Sequence, residues 1–287
     1  MTENSTRVAV VAGARTPFVK AGTLFADHRP LDLSLHAVHG LLETHDVDPE
    51  IVEHLVWGIV IVDPRIPHLA RDVVLRGALP DSVRALTITD NCISGASAVA
   101  IVHDAIVEGR CEVGIAGGVE SMSNPPVLFS REASRVFLDV ARAKTAADRA
   151  RALARLRPKH LKPTVGDFEE PSTGLTMGEH CELMVKEWGI PRGEQDAIAY
   201  RSHMGAAEAT EDGRLSAEIV PLDGVERDLL IRDDTSIEKL ASLPPVFDRS
   251  ASGTITAGSS SVQYATVAPR RCCSCPRIAR GGRDARS

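Results

Sequence analysis

The residue best suited to chemistry is Cys92, in the segment Thr-Asp-Asn-Cys-Ile-Ser-Gly at residues 89–95. A β-branched run at 84–89 precedes it and small and aliphatic residues follow at 95–107, which predicts a strand, a sharp turn and a buried helix. The turn would leave Cys92 at the helix N-terminus, where unpaired N–H groups and the helix dipole favour a nucleophilic thiolate. From the turn alone, a small buried apolar cysteine is an equally good interpretation.

The elements around this turn alternate between strands and helices, which indicates a layered α/β fold. Gly95, Ala96 and Ala98 should let the predicted helix lie close against a sheet, and Gly109 suits the left-handed residue that ends it. The nearly continuous aliphatic run at 8–12 predicts a strand covered on both faces. Further strands are predicted from about residue 55 to 62 and at 112–116, and further helices at 32–44, 67–77, 177–188 and 192–212.

Composition narrows the class of protein. The 287 residues suffice for one large domain or two small ones, and the formal charge of −6 argues against a nucleic-acid partner. The sequence has no run of about 18 apolar residues and begins with neither a signal nor a transit sequence, so we expect a cytoplasmic protein. Cys92, Cys111 and Cys181 lack the spacing of metal ligands or disulfides, so we expect no metal.

Four motifs, taken together, resemble a known family. Besides the segment at 89–95, they are Val-Ala-Val-Val-Ala-Gly-Ala-Arg-Thr-Pro-Phe at 8–18, Cys-Glu-Val-Gly-Ile-Ala-Gly-Gly-Val-Glu-Ser-Met-Ser-Asn at 111–124 and Gly-Thr-Ile-Thr-Ala-Gly-Ser-Ser-Ser at 253–261. In this order and spacing, from Arg7 to about Ser261, they resemble the thiolase family of 3-ketoacyl-CoA thiolases and acetyl-CoA acetyltransferases. Residues 92–94 and 129–178 are most similar to the long-chain type, the β-subunit of the fatty-acid oxidation complex.

The resemblance implies a fold and an activity. The fold would be the N-terminal half of the thiolase-like layered α/β fold, a five-stranded mixed sheet with helices on both sides, formed by residues 1–123 and 249–261. A mainly helical loop domain at 124–248 would grip CoA. The activity would be thiolytic cleavage of 3-ketoacyl-CoA in fatty-acid β-oxidation, or the reverse condensation of acetyl-CoA, with Cys92 as the acyl-thioester nucleophile.

The resemblance also assigns contacts to CoA, which would be a substrate and not a cofactor. Met177, Ala257 and Ser261 match positions where the family contacts the pantetheine chain. For Ala257 and Ser261, a Gly/Ser turn before a helix explains the same residues. The family would also form homo-oligomers through the N-terminal domain.

Two catalytic groups of the family have no counterpart in this sequence. The family places an activating histidine in Gly-His-Pro and a second cysteine in Cys-x-Gly-x-Gly, and neither motif occurs here. We therefore expect this chain alone to be inactive, with a non-catalytic CoA-binding or subunit-binding remnant as the alternative.

The segment at 136–157 is basic and aliphatic, which predicts one or two amphipathic helices. We favour a solvated helix face. A surface for an acidic membrane or for a β-oxidation partner subunit is the alternative, which the resemblance to long-chain thiolases supports. Attraction of the anionic CoA phosphates is a third interpretation.

The family pattern ends after Ser261. Residues 262–287 hold six arginines and Cys272, Cys273 and Cys275 without apolar periodicity, so we predict an aberrant, disordered tail. Residues 270–276 can be encoded so that a shifted frame reads Ala-Val-Leu-Leu-Met-Ser, the hydrophobic strand of a thiolase. We therefore predict a frameshift near Val262, a C-terminally truncated chain, an open sheet edge and an uncovered apolar helix face.

Overall fold

A computed structural model describes residues 7–123, 125–162, 169–259, 271–274 and 277–282. The described residues fall into two compact units: Met1–Asn124 with Gly178–Ser287, and Pro125–Met177. The smaller unit begins where the loop domain was predicted to begin. Residues 178–248 of that predicted domain group with the larger unit.

The secondary structure follows the predicted alternation. Within the described residues the strands are β1 (Arg7–Gly13), β2 (Val19–Lys20), β3 (His54–Gly58), β4 (Arg84–Ile88), β5 (Val113–Ser121), β6 (Arg271–Ser274) and β7 (Arg277–Gly282). The α-helices are α1 (Pro30–Thr44), α2 (Leu69–Arg76), α3 (Ser94–Val107), α4 (Arg131–Arg142), α5 (Ala146–Leu153), α6 (Met177–Glu187), α7 (Arg192–Glu211) and α8 (Ile237–Ala241). In the part of the chain that is described, no helix combines the length and apolar character needed to span a bilayer.

The predicted mixed sheet is confirmed. Its order is β1-β7-β5-β3-β4, with β3 parallel to β4 and β5, and β7 antiparallel to β1 and β5. Leu55 and Trp57 point into the core cluster that includes residues of α1 and α2, whereas Val56 belongs to the cluster of α3. This alternation along β3 covers both faces of the sheet with helices.

The larger unit differs from the prediction at the tail. Residues 262–287 were predicted to be disordered, but Arg271–Ser274 and Arg277–Gly282 form strands. β7 lies between β1 and β5, so the predicted open edge at this position is wrong. The physical reason is that an unpaired strand edge is satisfied by backbone hydrogen bonds, which do not depend on an apolar side-chain pattern.

The first strand also differs from the prediction. β1 was expected to be covered on both faces, but Val10 and Val11 are 55% and 57% exposed. β1 is the last strand at one side of the sheet, and the helices pack mainly over β3 and β5. The aliphatic run at 8–12 therefore indicates strand propensity and does not indicate burial on both faces.

Helix α3 is covered on one side. Ala98, Val102 and Ala105 are fully buried against the sheet, whereas Ile93 just before the helix is 59% exposed and Val107 is 43% exposed. The exposed side of α3 also carries His103 and Asp104, so the predicted uncovered apolar face stays a prediction.

The smaller unit contains two helices over the basic segment, as predicted. Ser130 caps α4 by accepting a hydrogen bond from Ala133 N at 3.2 Å, and Thr145 caps α5 through Asp148 N at 3.1 Å. The basic side chains of the segment are exposed: Arg142, Lys144, Arg149, Arg151, Arg155 and Arg157. A solvated basic face, the favoured interpretation, agrees with this exposure.

Candidate active site

The turn between β4 and α3 holds Cys92 in an exposed position one residue before the helix N-cap, Ile93. Asn91 takes the left-handed conformation, with φ of 46°, which sharpens the turn. Ser94 then closes it, because its Oγ accepts from Asp90 N at 2.8 Å and donates to Asn91 O at 2.7 Å. The predicted sharp turn before the helix is confirmed.

A glycine in the sheet brings the start of α3 close to β3. A Cβ on Gly58 would lie 2.7 Å from Ser94 Cβ and 2.8 Å from the carbonyl carbon of Ser94. Gly95, which was expected to provide this close approach, has open space at its Cβ position, and Ala96 is exposed. Ala98 is buried as expected. Gly58 was missed in the sequence, although a glycine that ends an apolar strand is a signal of close backbone approach.

The other described cysteines are in less reactive settings. Burial raises the pKa of the Cys111 thiol, and the nearby carboxylate of Glu53 raises it further. Burial likewise raises the pKa of Cys181, with a smaller contribution from Glu182. Cys92 is the exposed thiol among these three, whereas Cys111 is buried and Cys181 is half-buried.

The glycine-rich motif at 111–124 supplies a half-buried carboxylate, Glu120. Glu120 accepts hydrogen bonds from the backbone N–H groups of Val60 at 3.1 Å, Ile61 at 3.0 Å and Ser121 at 3.1 Å. Burial raises its pKa, although these hydrogen bonds act in the opposite direction. Glu120 thereby fixes the segment that follows Gly58, a contact between residues about 60 positions apart that the sequence did not reveal.

The Arg-Thr-Pro-Phe motif near the N-terminus is an anchor within the larger unit. Arg15 pairs with Glu218 at 2.6 Å and with both oxygens of Asp228 at 2.7 and 2.9 Å. Asp228 also accepts from Phe18 N at 2.7 Å. These contacts fasten residues 218–228 to the segment after β1, so this motif is structural.

The residues predicted to contact CoA fall in different places. Ala257 is exposed in the turn Thr256–Ser259 of the larger unit, the unit that also holds Cys92. Met177 begins α6, is 53% exposed and is the last residue of the smaller unit. Ser261 lies outside the described residues. Over the described part of the chain, no group of three or more His, Cys, Asp or Glu side chains could hold a metal ion.

The comparisons with known proteins assign the chain to a family. Residues 8–263 match the family described as "Thiolase, N-terminal domain". The chain belongs to the thiolase family. The match ends beside Val262, where the family pattern was predicted to break.

Among individual relatives, the chain is 37% identical to the 3-ketoacyl-CoA thiolase of Colwellia psychrerythraea over 265 residues, or 90% of this chain and 61% of that protein. It is also 37% identical to the 3-ketoacyl-CoA thiolase of Escherichia coli strain 55989 over 266 residues, or 91% of this chain and 61% of that protein. The chain thus spans about three fifths of the length of these curated relatives.

Solved structures agree on the fold. The Bacillus anthracis acetyl-CoA acetyltransferase superposes with a TM-score of 0.78 and 27% identity, covering 96% of this chain and 66% of that one. The human mitochondrial 3-ketoacyl-CoA thiolase in complex with CoA gives a TM-score of 0.77 and 27% identity, covering 96% and 65%. These likenesses confirm the predicted thiolase-like layered fold.

Proposed function

We propose that this chain carries the nucleophile-bearing part of an acyltransferase that cleaves 3-ketoacyl-CoA with CoA, or condenses acetyl-CoA in reverse. The observation that carries the proposal is exposed Cys92, held at the start of α3 by Ser94 and Gly58. The identity to 3-ketoacyl-CoA thiolases supports this substrate class and a place in fatty-acid β-oxidation.

In the proposed reaction, Cys92 Sγ attacks the 3-keto carbonyl carbon of the substrate. The bond between carbons 2 and 3 breaks, acetyl-CoA leaves after protonation of its methylene carbon, and the acyl group remains on Sγ as a thioester. The thiolate of a second CoA then attacks this thioester and releases a shortened acyl-CoA. The chain supplies the nucleophile and, through the Cys92 N–H, at most one of the two donors expected for the developing negative charge.

The sequence lacks the two motifs that carry proton transfer in the family. Gly-His-Pro and Cys-x-Gly-x-Gly are absent from the sequence. Because nucleophile, base and oxyanion support act as a unit, losing the base should remove most of the rate. We therefore propose that the chain alone has little or no turnover.

CoA would bind as a substrate through Met177, Ala257 and Ser261, with no resident cofactor. Met177 and Ala257 are exposed, as a ligand contact requires. The exposed basic face at 136–157 could attract the CoA phosphates or a β-oxidation partner subunit. The N-terminal sheet and its helices would form the homo-oligomer contact.

The second candidate function is a non-catalytic subunit that binds CoA or another polypeptide. It is favoured by the missing motifs together with the uncovered side of α3, where Ile93 is 59% exposed. An exposed apolar surface of this kind favours association.

One experiment tests CoA binding and turnover together. Purified chain is assayed for thiolysis of acetoacetyl-CoA and of a long-chain 3-ketoacyl-CoA, and CoA binding is measured by calorimetry, with Cys92→Ala as the matched control. We expect CoA binding without turnover in both proteins. Turnover that disappears in Cys92→Ala would show that the chain is a complete catalyst and would contradict the non-catalytic candidate. Absence of CoA binding would contradict the acyltransferase candidate and leave only a subunit that binds another polypeptide.

A further inference from the structure

A buried carboxylate outside the Cys92 turn connects α6 to the Gly-Thr-Ile-Thr-Ala-Gly-Ser motif. Glu182, on α6, is 3% exposed. Its Oε1 accepts from Thr254 N at 2.9 Å and Thr254 Oγ1 at 3.2 Å, and its Oε2 accepts from Ile255 N at 2.8 Å. A carboxylate is costly to bury unless it is hydrogen-bonded, and here these three donors belong to one short segment.

The segment that Glu182 holds is rigid within itself. Thr256 is fully buried, and its Oγ1 accepts from Gly258 N at 3.2 Å and Ser259 N at 3.3 Å. Ser259 Oγ in turn accepts from Thr256 N at 3.0 Å. Ala257 projects from this closed turn and is exposed. The orientation of Ala257 therefore follows the backbone that Glu182 fixes two and three residues earlier.

Two further contacts reinforce the link between α6 and the segment before this turn. Lys186, one helical turn after Glu182, lies 3.5 Å from Glu182 Oε1 and also pairs with Asp248. A Cβ on Gly253 would lie 1.8 Å from the backbone oxygen of Asp248, so the segment between them is too tight for another residue type. Glu182 and Lys186 thus hold both ends of residues 248–255.

We infer that Glu182 is a positioning residue that sets the backbone of the Ala257 turn and thereby the affinity for CoA. The inference rests on the proposed function in one respect, the contact between Ala257 and CoA. The hold on the turn itself does not depend on any ligand. A charge-assisted clamp of this kind orients a binding loop without touching the ligand.

The test compares Glu182→Gln with Asp228→Asn. Gln keeps the size of Glu182 but can accept only one of the two backbone N–H groups. Asp228 is a matched control, because it too is a buried carboxylate of the larger unit with hydrogen bonds from Arg15 and Phe18 N. Hydrogen–deuterium exchange of peptides covering 249–259 reports the turn, and calorimetry with CoA reports binding.

We expect Glu182→Gln to speed exchange at Thr254 and Ile255 at least about tenfold and to weaken CoA binding by a similar factor, since one hydrogen bond to a charged group is lost. Asp228→Asn should change neither exchange at Thr254 and Ile255 nor CoA affinity, beyond what its overall loss of stability causes. If Glu182→Gln fails to fold, Thr254→Val, which removes only the hydroxyl bond, should still give a smaller rise in exchange.

Unchanged exchange in residues 249–259 would overturn the inference, and so would faster exchange with unchanged CoA affinity. Absence of CoA binding by the unmodified chain would instead contradict the proposed function. In that event the exchange measurement alone decides whether Glu182 holds the turn.

Discussion

Replacing Gly58 with alanine tests whether the contact between β3 and α3 positions Cys92. The new Cβ would lie 2.7 Å from Ser94 Cβ and 2.8 Å from the Ser94 carbonyl carbon. Ordinary carbon contacts are about 3.5–4.0 Å, so the pair is too close by about 1 Å. Because one of the two atoms is backbone, rotation of a side chain cannot relieve the clash, and the first turn of α3 must move.

The expected cost is about 1–3 kcal/mol of unfolding free energy, typical of overpacking, and a fall in Tm of roughly 5 °C for a domain of this size. The alkylation rate of Cys92 by iodoacetamide should change as well, because Ser94 closes the cysteine turn. The measurements are a thermal melt and a time course of alkylation read by mass spectrometry.

Gly95→Ala is the matched control, because Gly95 follows Ser94 in α3 but does not take part in the contact with Gly58. Its Cβ would enter open space within the helix, so alanine should raise stability by up to about 1 kcal/mol through helix propensity. If Gly58→Ala melts at the unmodified temperature and leaves Cys92 alkylation unchanged, the reasoning about this contact is refuted.

Three other predictions concern buried groups. Arg15→Met should lower the unfolding free energy measured by chemical denaturation by about 3–5 kcal/mol, because it leaves the buried Asp228 carboxylate without its cationic partner. A loss no larger than that of an exposed ion pair would contradict the anchoring role of Arg15. Burial lowers the pKa of His54, and repulsion from two arginines lowers it further. The folded state therefore favours neutral His54, and its full stability is present above about pH 6.5, the pKa of an unperturbed histidine. This contribution is lost as the pH falls from there through the lowered folded-state pKa. His54→Gln should therefore flatten the unfolding free energy below that pH, and an unaltered pH profile would contradict the assignment. Limiting iodoacetamide should label exposed Cys92 before Cys111, whose thiol pKa is raised by burial; preferential labelling of Cys111 would reverse this interpretation.

The local features of the site were predictable from the sequence. Helix α1 and the turn at Cys92 depend on apolar periodicity and on residues such as Asn91 that tolerate a left-handed backbone. The four motifs predicted the thiolase family because their order and spacing extend over a whole domain. The match of residues 8–263 to the thiolase N-terminal domain confirms this prediction.

The long-range contacts were not predictable from the sequence. The close approach of Gly58 to Ser94 and the hold of Glu120 on Ile61 join residues that are distant along the chain, and no local pattern marks their partners. The pairing of β7 between β1 and β5 was missed because strand pairing depends on backbone groups, whereas the prediction used side-chain periodicity.

Transfer of an acyl group to Cys92 tests the central claim most directly. The chain, with Cys272, Cys273 and Cys275 replaced by serine, is incubated with acetyl-CoA, and the acetyl thioester is mapped by mass spectrometry after digestion. Thiol–thioester exchange moves the acetyl group from the CoA sulfur to a cysteine Sγ and releases CoA, so this reaction requires no additional reactant. We predict that the thioester forms first on Cys92 and that Cys92→Ala abolishes this product. A thioester that forms first on Cys111 or Cys181, or equally on all three, would contradict Cys92 as the acyl acceptor.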